Sequence, residues 1–442
     1  MRRTTSMRGR QLTANSSRLT AGFDGRKLSA DSREPAPVIT LAHGSGGRKM
    51  HRLISEVFVR HFGNPMLRRL EDAAEFEVTP RRRVGVSPRI RLALTTDSYV
   101  VQPLFFPGGD IGKLAVCGTV NDLAVKGATP RYLSAGFIIS TGFPIEQLDR
   151  ICRSMARTAR RAGVEIITGD TKVIEAGVRG QGAVELAEPG LQIADCRLQI
   201  AESKSKDAEK TQKGRRRDAE SDFCERSDSA VSASAAILHL PEPPNPELLI
   251  NTSGVGTLEH NLRFGPENIR AGDKVLISGT IGDHEAAIVL ARGEFDFHAQ
   301  LKSDCAPLNG LIARLIDIGR IRMMRDPTRG GVATTLNEIA DAAGLGIILD
   351  EKALPIRPAV RGVCELLGLE PPYLANEGKV LCVAARADAG KVLKAMRGHA
   401  LGRDGAIVGE VTREYRGVWL RTALGSLRPL LMLEGQQLPR IC

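Results

Sequence analysis

The sequence predicts a mixed fold in which strands and helices alternate, arranged as two domains. Its 442 residues are long for one domain and comfortable for two. Strand-like runs alternate with amphipathic helical patterns on both sides of a long polar stretch. A unit of strand, glycine-rich turn and helix also occurs twice in the second half of the chain.

In the first half, order is predicted to begin at residue 38 with a strand, the glycine loop HGSGG (43–47) and an amphipathic helix. The strand RLALTTDSYVV (91–101) comes next. A helix capped by Asp110 and closed by Gly127 then leads into the strand RYLSAGFIIS (131–140). A second helix (144–163) precedes the strand VEIITGD (164–170), and its apolar face comprises Leu148, Ile151, Cys152, Met155 and Ala159.

Changes in composition predict the domain boundaries. Residues 1–37 form a disordered extension rich in arginine and serine, and 38–265 form the first domain. Within that domain, residues 178–247 are predicted to be a disordered insertion, because they are polar, of mixed charge and without periodicity. A second domain is expected at 266–425, followed by a mobile tail (426–442) that ends in Cys442.

Charge and cysteine content exclude several classes of function. The net charge is +11, but the basic clusters in the first 34 residues and at 81–91 contain no interleaved aromatic residues, so we predict no nucleic-acid partner. The eight cysteines include no Cys-x-x-Cys pair, which argues against a zinc or thioredoxin-type site. Cys117, Cys152 and Cys382 fall on apolar faces and are expected to be buried. With no signal peptide and no membrane-length apolar run, we expect a cytoplasmic protein.

Aspartates beside glycine or small polar residues are the most informative chemical feature. Asp97, Asp170 and Asp326 come at or near predicted strand ends, where open sheets of this kind gather ligands. Any one of them taken alone is better explained as a helix cap or turn residue. Carboxylates collected around one cleft, however, repel each other unless a cation joins them. The full set therefore favours a magnesium–nucleotide site, and it comprises Asp72, Asp97, Asp122, Asp170 and Asp326.

Four further features are ambiguous by themselves. The HGSGG loop either approaches a phosphate or is a simple turn. Lys172 shares a side of its strand with Asp170 if that strand continues, and it either orients a substrate or forms a salt bridge. Glu377 lies in a turn and is expected to be solvated. Cys442 is either an ordinary exposed thiol or the reactive end of a swinging arm.

Taken together, these motifs resemble those of the carbamoyl dehydratase HypE family of hydrogenase maturation factors. The resemblance covers about 38–175 and 248–442 and rests on LAHGSGG, TTDSYVVQPLFFPGGDIGKLAVCGTVNDLAVKG, GDTKV, SGTIGDH, DPTRGGV, RGVCELLGL, ANEGK and the terminal PRIC. It implies an α+β fold of the aminoimidazole ribonucleotide synthetase type, with two domains. It also implies a homodimer in which the N-terminal domains pair into a shared β-barrel.

The resemblance also implies the roles of individual residues. Asp72, Asp122 and Asp326 match magnesium ligands, and Cys442, Glu377 and Lys172 match the catalytic positions. Positions implied to bind ATP are His43, Gly44, Gly46, Gly47, Asp97, Asn121 and Asp170.

The implied activity is the ATP-dependent dehydration of a carboxamide on Cys442 to a thiocyanate, which supplies cyanide ligands for the iron of nickel–iron hydrogenase. The implied partners are the carbamoyltransferase HypF and the iron-bearing HypC–HypD complex.

Two alternatives remain at this stage. A selenophosphate synthetase would need cysteine or selenocysteine in the glycine loop, where this chain has Ser45. A non-enzymatic carrier of the modified thiol would have no need of the acidic residues.

Overall fold

The computed structural model describes residues 39–40, 43, 47–78, 90–174, 248–293, 300–318 and 320–433. The extension predicted at 1–37, the insertion predicted at 178–247, Gly44, Gly46 and Cys442 lie outside the described residues. Every helix and strand described below belongs to one compact unit, residues 41–442.

A five-stranded sheet is built from the first half of the chain, in the order β1-β2-β7-β5-β6. Its strands are β1 (Ala74–Val78), β2 (Ile90–Tyr99), β5 (Thr129–Ser140), β6 (Glu165–Ile174) and β7 (Leu248–Thr257). The pair β5–β6 is parallel and the other neighbours are antiparallel. A two-stranded ribbon, β3 (Phe105–Phe106) and β4 (Gly109–Asp110), precedes the first long helix.

The inner face of this sheet packs on the helix α3 (Ile111–Val125), which is buried almost all round. Its start is fixed by Asp110, whose side chain accepts a hydrogen bond from the Lys113 N–H. Side chains of β7 alternate between this buried face and the opposite, outer face, as a half-buried strand requires. The helix α4 (Ile145–Ala162) connects β5 to the parallel strand β6 and ends at Gly163, which has a left-handed backbone.

A seven-stranded sheet is built from the second half, in the order β14-β13-β10-β12-β8-β11-β9. Its strands are β8 (Lys274–Ile277), β9 (Ile321–Arg325), β10 (Gly346–Asp350), β11 (Leu381–Ala384), β12 (Ala406–Thr412), β13 (Gly417–Arg421) and β14 (Leu427–Pro429). The pair β10–β13 is parallel and the other neighbours are antiparallel.

The remaining helices are α1 (Arg48–Leu53), α2 (Arg60–Phe62), α5 (Asp283–Ala291), α6 (Asn309–Ile318), α7 (Gly331–Ala343), α8 (Pro358–Leu367) and α9 (Ala389–Arg397). A π-helical segment, Ile54–Val59, joins α1 to α2. Short 3-10 turns lie at Leu67–Arg69, Pro266–Asn268, Glu351–Ala353, Pro371–Tyr373 and Ala400–Gly402. No helix in the described ranges combines the length and the apolar character that a membrane span requires.

Both sheets are mostly antiparallel, so the architecture is α+β rather than an open parallel sheet. The repeated unit of strand, glycine turn and helix is confirmed, because β8 leads to α5 and β9 leads to α7.

Three details of the sequence interpretation are wrong. Asp170 lies within β6 rather than at its end. Cys152 is exposed on α4, because it points away from the buried stripe that contains its neighbour Ile151; Cys117 and Cys382 are buried as predicted. Residues 427–430 are not part of a mobile tail, as was predicted from 426 onward, since β14 pairs with β13 and Leu430 is fully buried.

Candidate functional site

Three aspartates from distant parts of the chain form one acidic triad. Asp72 lies just before β1, which begins at Ala74. Asp122 lies on the last turn of α3, and Asp326 follows the end of β9. Ligand oxygens of the three carboxylates all lie within 4.8 Å of one another. The structure thus brings together the three residues predicted to bind magnesium.

Burial and mutual repulsion make this triad electrostatically unfavourable when all three groups are ionised. Desolvation, followed by the charges of Asp326, Asp72 and Asp97, raises the pKa of Asp122 well above its usual range. Desolvation and the Asp72 charge raise the pKa of Asp326 to about 7. Burial and the neighbouring carboxylates therefore oppose full ionisation of the triad unless positive charge is supplied.

The donor atoms of the triad fit a divalent cation of the magnesium type. Asp72 Oδ1 is 2.7 Å from the Arg325 Nε, an ion-pair contact without hydrogen-bond geometry, and Asp72 Oδ2 is buried and has no hydrogen-bond partner among the described residues. Thr95 donates its hydroxyl hydrogen to Asp122 Oδ2 at 2.8 Å. Magnesium prefers hard oxygen ligands such as carboxylates. The buried Asp72 Oδ2 has no partner among the described residues and could therefore bind such a cation.

Asp97 and Asn121, both predicted to bind nucleotide, lie near the triad but differ in availability. Asp97 is on β2, partly exposed, and its Oδ1 is 3.9 Å from the Arg329 Nη2. Asn121 is buried and its amide is used within the protein: Nδ2 donates to the Ala306 carbonyl at 3.2 Å, and Oδ1 accepts from the Leu308 N–H at 2.7 Å. Asn121 thus fixes the segment before α6.

Of the glycine loop, only His43 and Gly47 are among the described residues. Gly47 is buried and directly precedes α1, whose His51 N–H donates to the Gly47 carbonyl. Arg48, the first residue of α1, donates its N–H to the carbonyl of Leu433, the last described residue, at 3.0 Å. The start of the segment that ends in Cys442 is therefore beside the end of the glycine loop.

Glu377 is buried, with only 3% of its surface exposed, so the expectation of a solvated turn residue is wrong. Its N–H donates to Asp304 Oδ1 at 3.0 Å, and its carbonyl accepts from the Ala306 N–H at 3.3 Å. Desolvation, followed by the charges of Cys305, Asp326 and Asp304, raises the pKa of Glu377 well above its usual range.

A buried ion pair beside Glu377 was not predicted from the sequence. The Lys379 Nζ lies 2.9 Å from Asp304 Oδ2, and both side chains are buried. Burial alone would raise the pKa of Asp304, but the Lys379 ammonium and further contacts hold it below its usual value. A side chain at Gly378 would place its Cβ only 1.9 Å from the Asp304 carbonyl oxygen, so glycine is needed for this close approach. The sequence offered one indication of this pair, Lys379 two residues after Glu377. Its partner Asp304 lies 75 positions earlier in the chain.

Lys172 and Asp170 lie on a different face of the first sheet from the triad of the same chain. The two side chains are 69% and 70% exposed and are paired, with the Lys172 Nζ 3.2 Å from Asp170 Oδ2. In the register of the sheet, Asp170 pairs with Gly136, which pairs with the outward-facing Asn251. They are therefore on the outer face, opposite α3, and neither hydrogen-bonds to the triad in the part of the chain that the structure describes.

Comparison with known proteins first defines the class. Residues 71–186 match the AIR synthase related protein, N-terminal domain, and residues 270–419 match the corresponding C-terminal domain. The chain therefore has the two-domain architecture of the AIR synthase related proteins.

More specifically, the chain belongs to the carbamoyl dehydratase HypE family. It is 42% identical over 404 residues to carbamoyl dehydratase HypE of Escherichia coli, an alignment that covers 91% of this chain and 99% of the relative. A solved HypE–HypF complex matches with 40% identity and a TM-score of 0.65, covering 86% of this chain and 99% of the matched one. A hydrogenase maturation protein HypE solved in complex with ATP matches with 39% identity and a TM-score of 0.61, covering 92% and 100% respectively.

Proposed function

We propose that this protein uses ATP to dehydrate a carboxamide carried on the Cys442 sulfur, giving a thiocyanate that supplies cyanide to the iron of nickel–iron hydrogenase. The observation that carries this proposal is the acidic triad, in which Asp326 is buried and Asp72 has an unpartnered oxygen, near the buried acid Glu377. Membership of the carbamoyl dehydratase HypE family supports the reaction class.

The proposed reaction begins with a carboxamide bonded to the Cys442 sulfur, placed there by a carbamoyltransferase partner. The amide oxygen forms a bond to the terminal phosphorus of ATP, and ADP leaves. The carbon–oxygen bond then breaks, phosphate departs with the oxygen, and the nitrogen loses both protons. The product on sulfur is S–C≡N, and the net change is loss of one water at the expense of ATP.

Asp72, Asp122 and Asp326 are the residues that would hold magnesium, which would offset phosphate charge during phosphoryl transfer. Asp97 acts electrostatically on Asp122 at the edge of the same acidic region, and it would face the nucleotide. The glycine loop would close over the phosphates, with Gly47 at the base of α1.

We assign the removal of the nitrogen protons to Glu377. A carboxylate with a raised pKa is a stronger base when it is ionised, and it retains the proton that it takes up. Burial is the largest cause of that raised pKa and nearby acids add to it, so neutralising Asp326 or Asp97 lets Glu377 ionise more readily. The Asp304–Lys379 ion pair holds the turn that carries this carboxyl group.

The position of Leu433 supports delivery of Cys442 to this site. The nine residues from 434 to 442 can span about 30 Å when extended. A thiol on such a segment can reach a site near α1 and can also leave it for a protein partner. We propose HypF as the carbamoyl donor and the HypC–HypD complex as the cyanide acceptor, acting in the cytoplasm.

We also propose that the protein forms a homodimer through the outer face of the first sheet. Leu94, Val255 and Tyr132 are cross-strand neighbours on that face, and Leu94 and Tyr132 are largely exposed for apolar residues. Lys172 and Asp170 share the same face, so their proposed roles in catalysis and nucleotide binding require the site of a second copy.

The test is to follow the mass of the C-terminal peptide. The protein is incubated with carbamoyl phosphate, the carbamoyltransferase partner and magnesium, and the peptide is weighed before and after ATP is added. We expect the gain of a carboxamide and then the loss of one water, with neither change in Cys442→Ala. If ATP leaves the carboxamide intact, the protein is a carrier rather than a dehydratase.

A further inference from the structure

A chain of three contacts connects the acidic triad to the helix that follows the glycine loop. The Arg325 Nε contacts Asp72 Oδ1 at 2.7 Å, and the Arg325 Nη2 contacts Glu338 Oε2 at 3.0 Å. The second oxygen of Glu338, Oε1, is 3.0 Å from the His51 Nε2 on α1. Both oxygens of the Glu338 carboxylate are thus engaged, one on each side.

We propose that Glu338 is a positioning residue that holds Arg325 at one edge of Asp72 and so keeps the triad open to a divalent cation. This inference rests on the proposed function, since it concerns the magnesium that the reaction requires. Glu338 is on α7 and is not a member of the triad.

The physical reason is competition between Arg325 and the cation. The Arg325 side chain is only 17% exposed, and it lies in the field of Asp72, Asp326 and Asp122 as well as Glu338. Without Glu338, the guanidinium would be attracted only towards the triad, whose charge it would partly neutralise. With Glu338 in place, Arg325 is held by one carboxylate on each side, and Asp72 Oδ2 stays without a partner.

His51 gives the same carboxylate a second restraint. Since α1 begins directly after Gly47, the placement of Glu338, and through it of Arg325, depends on a helix adjoining the glycine loop. Replacing His51 should therefore shift cation affinity in the same direction as replacing Glu338, but by less, because Arg325 keeps its direct contact.

The inference is distinguished from a simple effect of negative charge by two substitutions at one position. Glu338→Gln removes the charge and keeps the length of the side chain. Glu338→Asp keeps the charge but shortens the side chain, so that it cannot reach both Arg325 and His51. Asp341→Asn, on the exposed side of the same helix, is the matched control for loss of one charge.

The experiment measures binding of Mn2+ by electron paramagnetic resonance in the full-length protein, and the Mg2+ concentration that half-saturates binding of a fluorescent ATP analogue. Loss of a residue that orients a metal ligand typically weakens metal binding by about 10-fold or more. We expect about that change for both Glu338 variants, about threefold for His51→Gln, and less than about twofold for Asp341→Asn. Urea denaturation of the metal-free proteins checks that each variant is folded.

Each outcome decides the matter. If Glu338→Asp binds Mn2+ like the unaltered protein while Glu338→Gln is weakened, charge alone acts and positioning is wrong. If neither Glu338 variant changes metal binding, the inference is also wrong. Should both Glu338 variants fail to fold, an unchanged affinity in His51→Gln overturns it. If the unaltered protein itself binds neither Mn2+ nor ATP, the proposed function fails instead.

Discussion

Replacing Asp326 with asparagine should stabilise the metal-free protein near neutral pH and remove its stabilisation by magnesium. Desolvation, together with the Asp72 charge, raises the pKa of Asp326 from 3.8 to about 7. Asparagine keeps the shape of the side chain but has no proton to lose, so it removes the cost of ionising a buried group beside Asp72 and Asp122.

The sign of the pH dependence follows from the direction of this pKa shift. Between about pH 4 and pH 7 the folded protein keeps a proton on Asp326 that the unfolded chain has lost, so stability falls as the pH rises through this window. One pKa unit corresponds to about 1.4 kcal/mol, so the unaltered protein should lose about 2 kcal/mol relative to Asp326→Asn between pH 5.5 and 7.5.

Urea denaturation at these two pH values, with a chelator present, measures the difference between the two proteins. Taking the difference cancels groups that titrate in the same range without interacting with Asp326, such as the buried Glu285. Magnesium at 100 times its dissociation constant should then stabilise the unaltered protein by about 2.7 kcal/mol and the variant by much less. A difference that stays constant between the two pH values, or equal stabilisation of both proteins by magnesium, would refute this account of the triad.

Three further predictions concern the rest of the site. Glu377→Gln should accept the carboxamide on Cys442 but lose water at least about 100-fold more slowly, as expected for loss of a general base; peptide mass spectrometry checks this, and an unchanged rate removes Glu377 from the mechanism. Asp304→Ala should destabilise the protein by about 3–5 kcal/mol, because it leaves the Lys379 ammonium buried and unpaired; denaturation of Asp304→Ala,Lys379→Met should show that the second substitution recovers part of the loss. Mixed dimers of Lys172→Ala with Glu377→Gln should recover activity if Lys172 serves the second copy, whereas inactivity of every mixture would contradict that placement.

The sequence was sufficient to find the acids but not to place all of them. Asp72, Asp122 and Asp326 come together because α3 and the end of β9 converge, and strand and helix patterns predicted both of those elements. Asp170 was grouped with them because its strand was expected to end there. The strand continues to Ile174, and its register with β5 turns the Asp170 side chain to the outer face.

Glu377 shows why local pattern fails for burial. The turn around Gly378 resembles a solvated loop in sequence, because its neighbours include Asn376 and Lys379. Its burial comes instead from residues far away in sequence: Asp304 binds the Glu377 N–H and the Lys379 ammonium, and the Asn376 Nδ2 donates to the Pro327 carbonyl. Such pairings depend on tertiary packing, which no short window of sequence encodes.

The same electrostatics explain why a chain would keep this arrangement despite its cost. Among the described residues, Asp72 and Glu338 contact the guanidinium of Arg325, and the carboxylates of Asp326 and Asp122 act on it electrostatically. Raised pKa values at Asp122 and Asp326 mean that the fold is less stable near neutral pH than it would be with neutral side chains there. A divalent cation can supply the positive charge that this acidic region lacks. We therefore propose that stability is lower in the metal-free state because the site is arranged for the charge distribution of a metal-bound state.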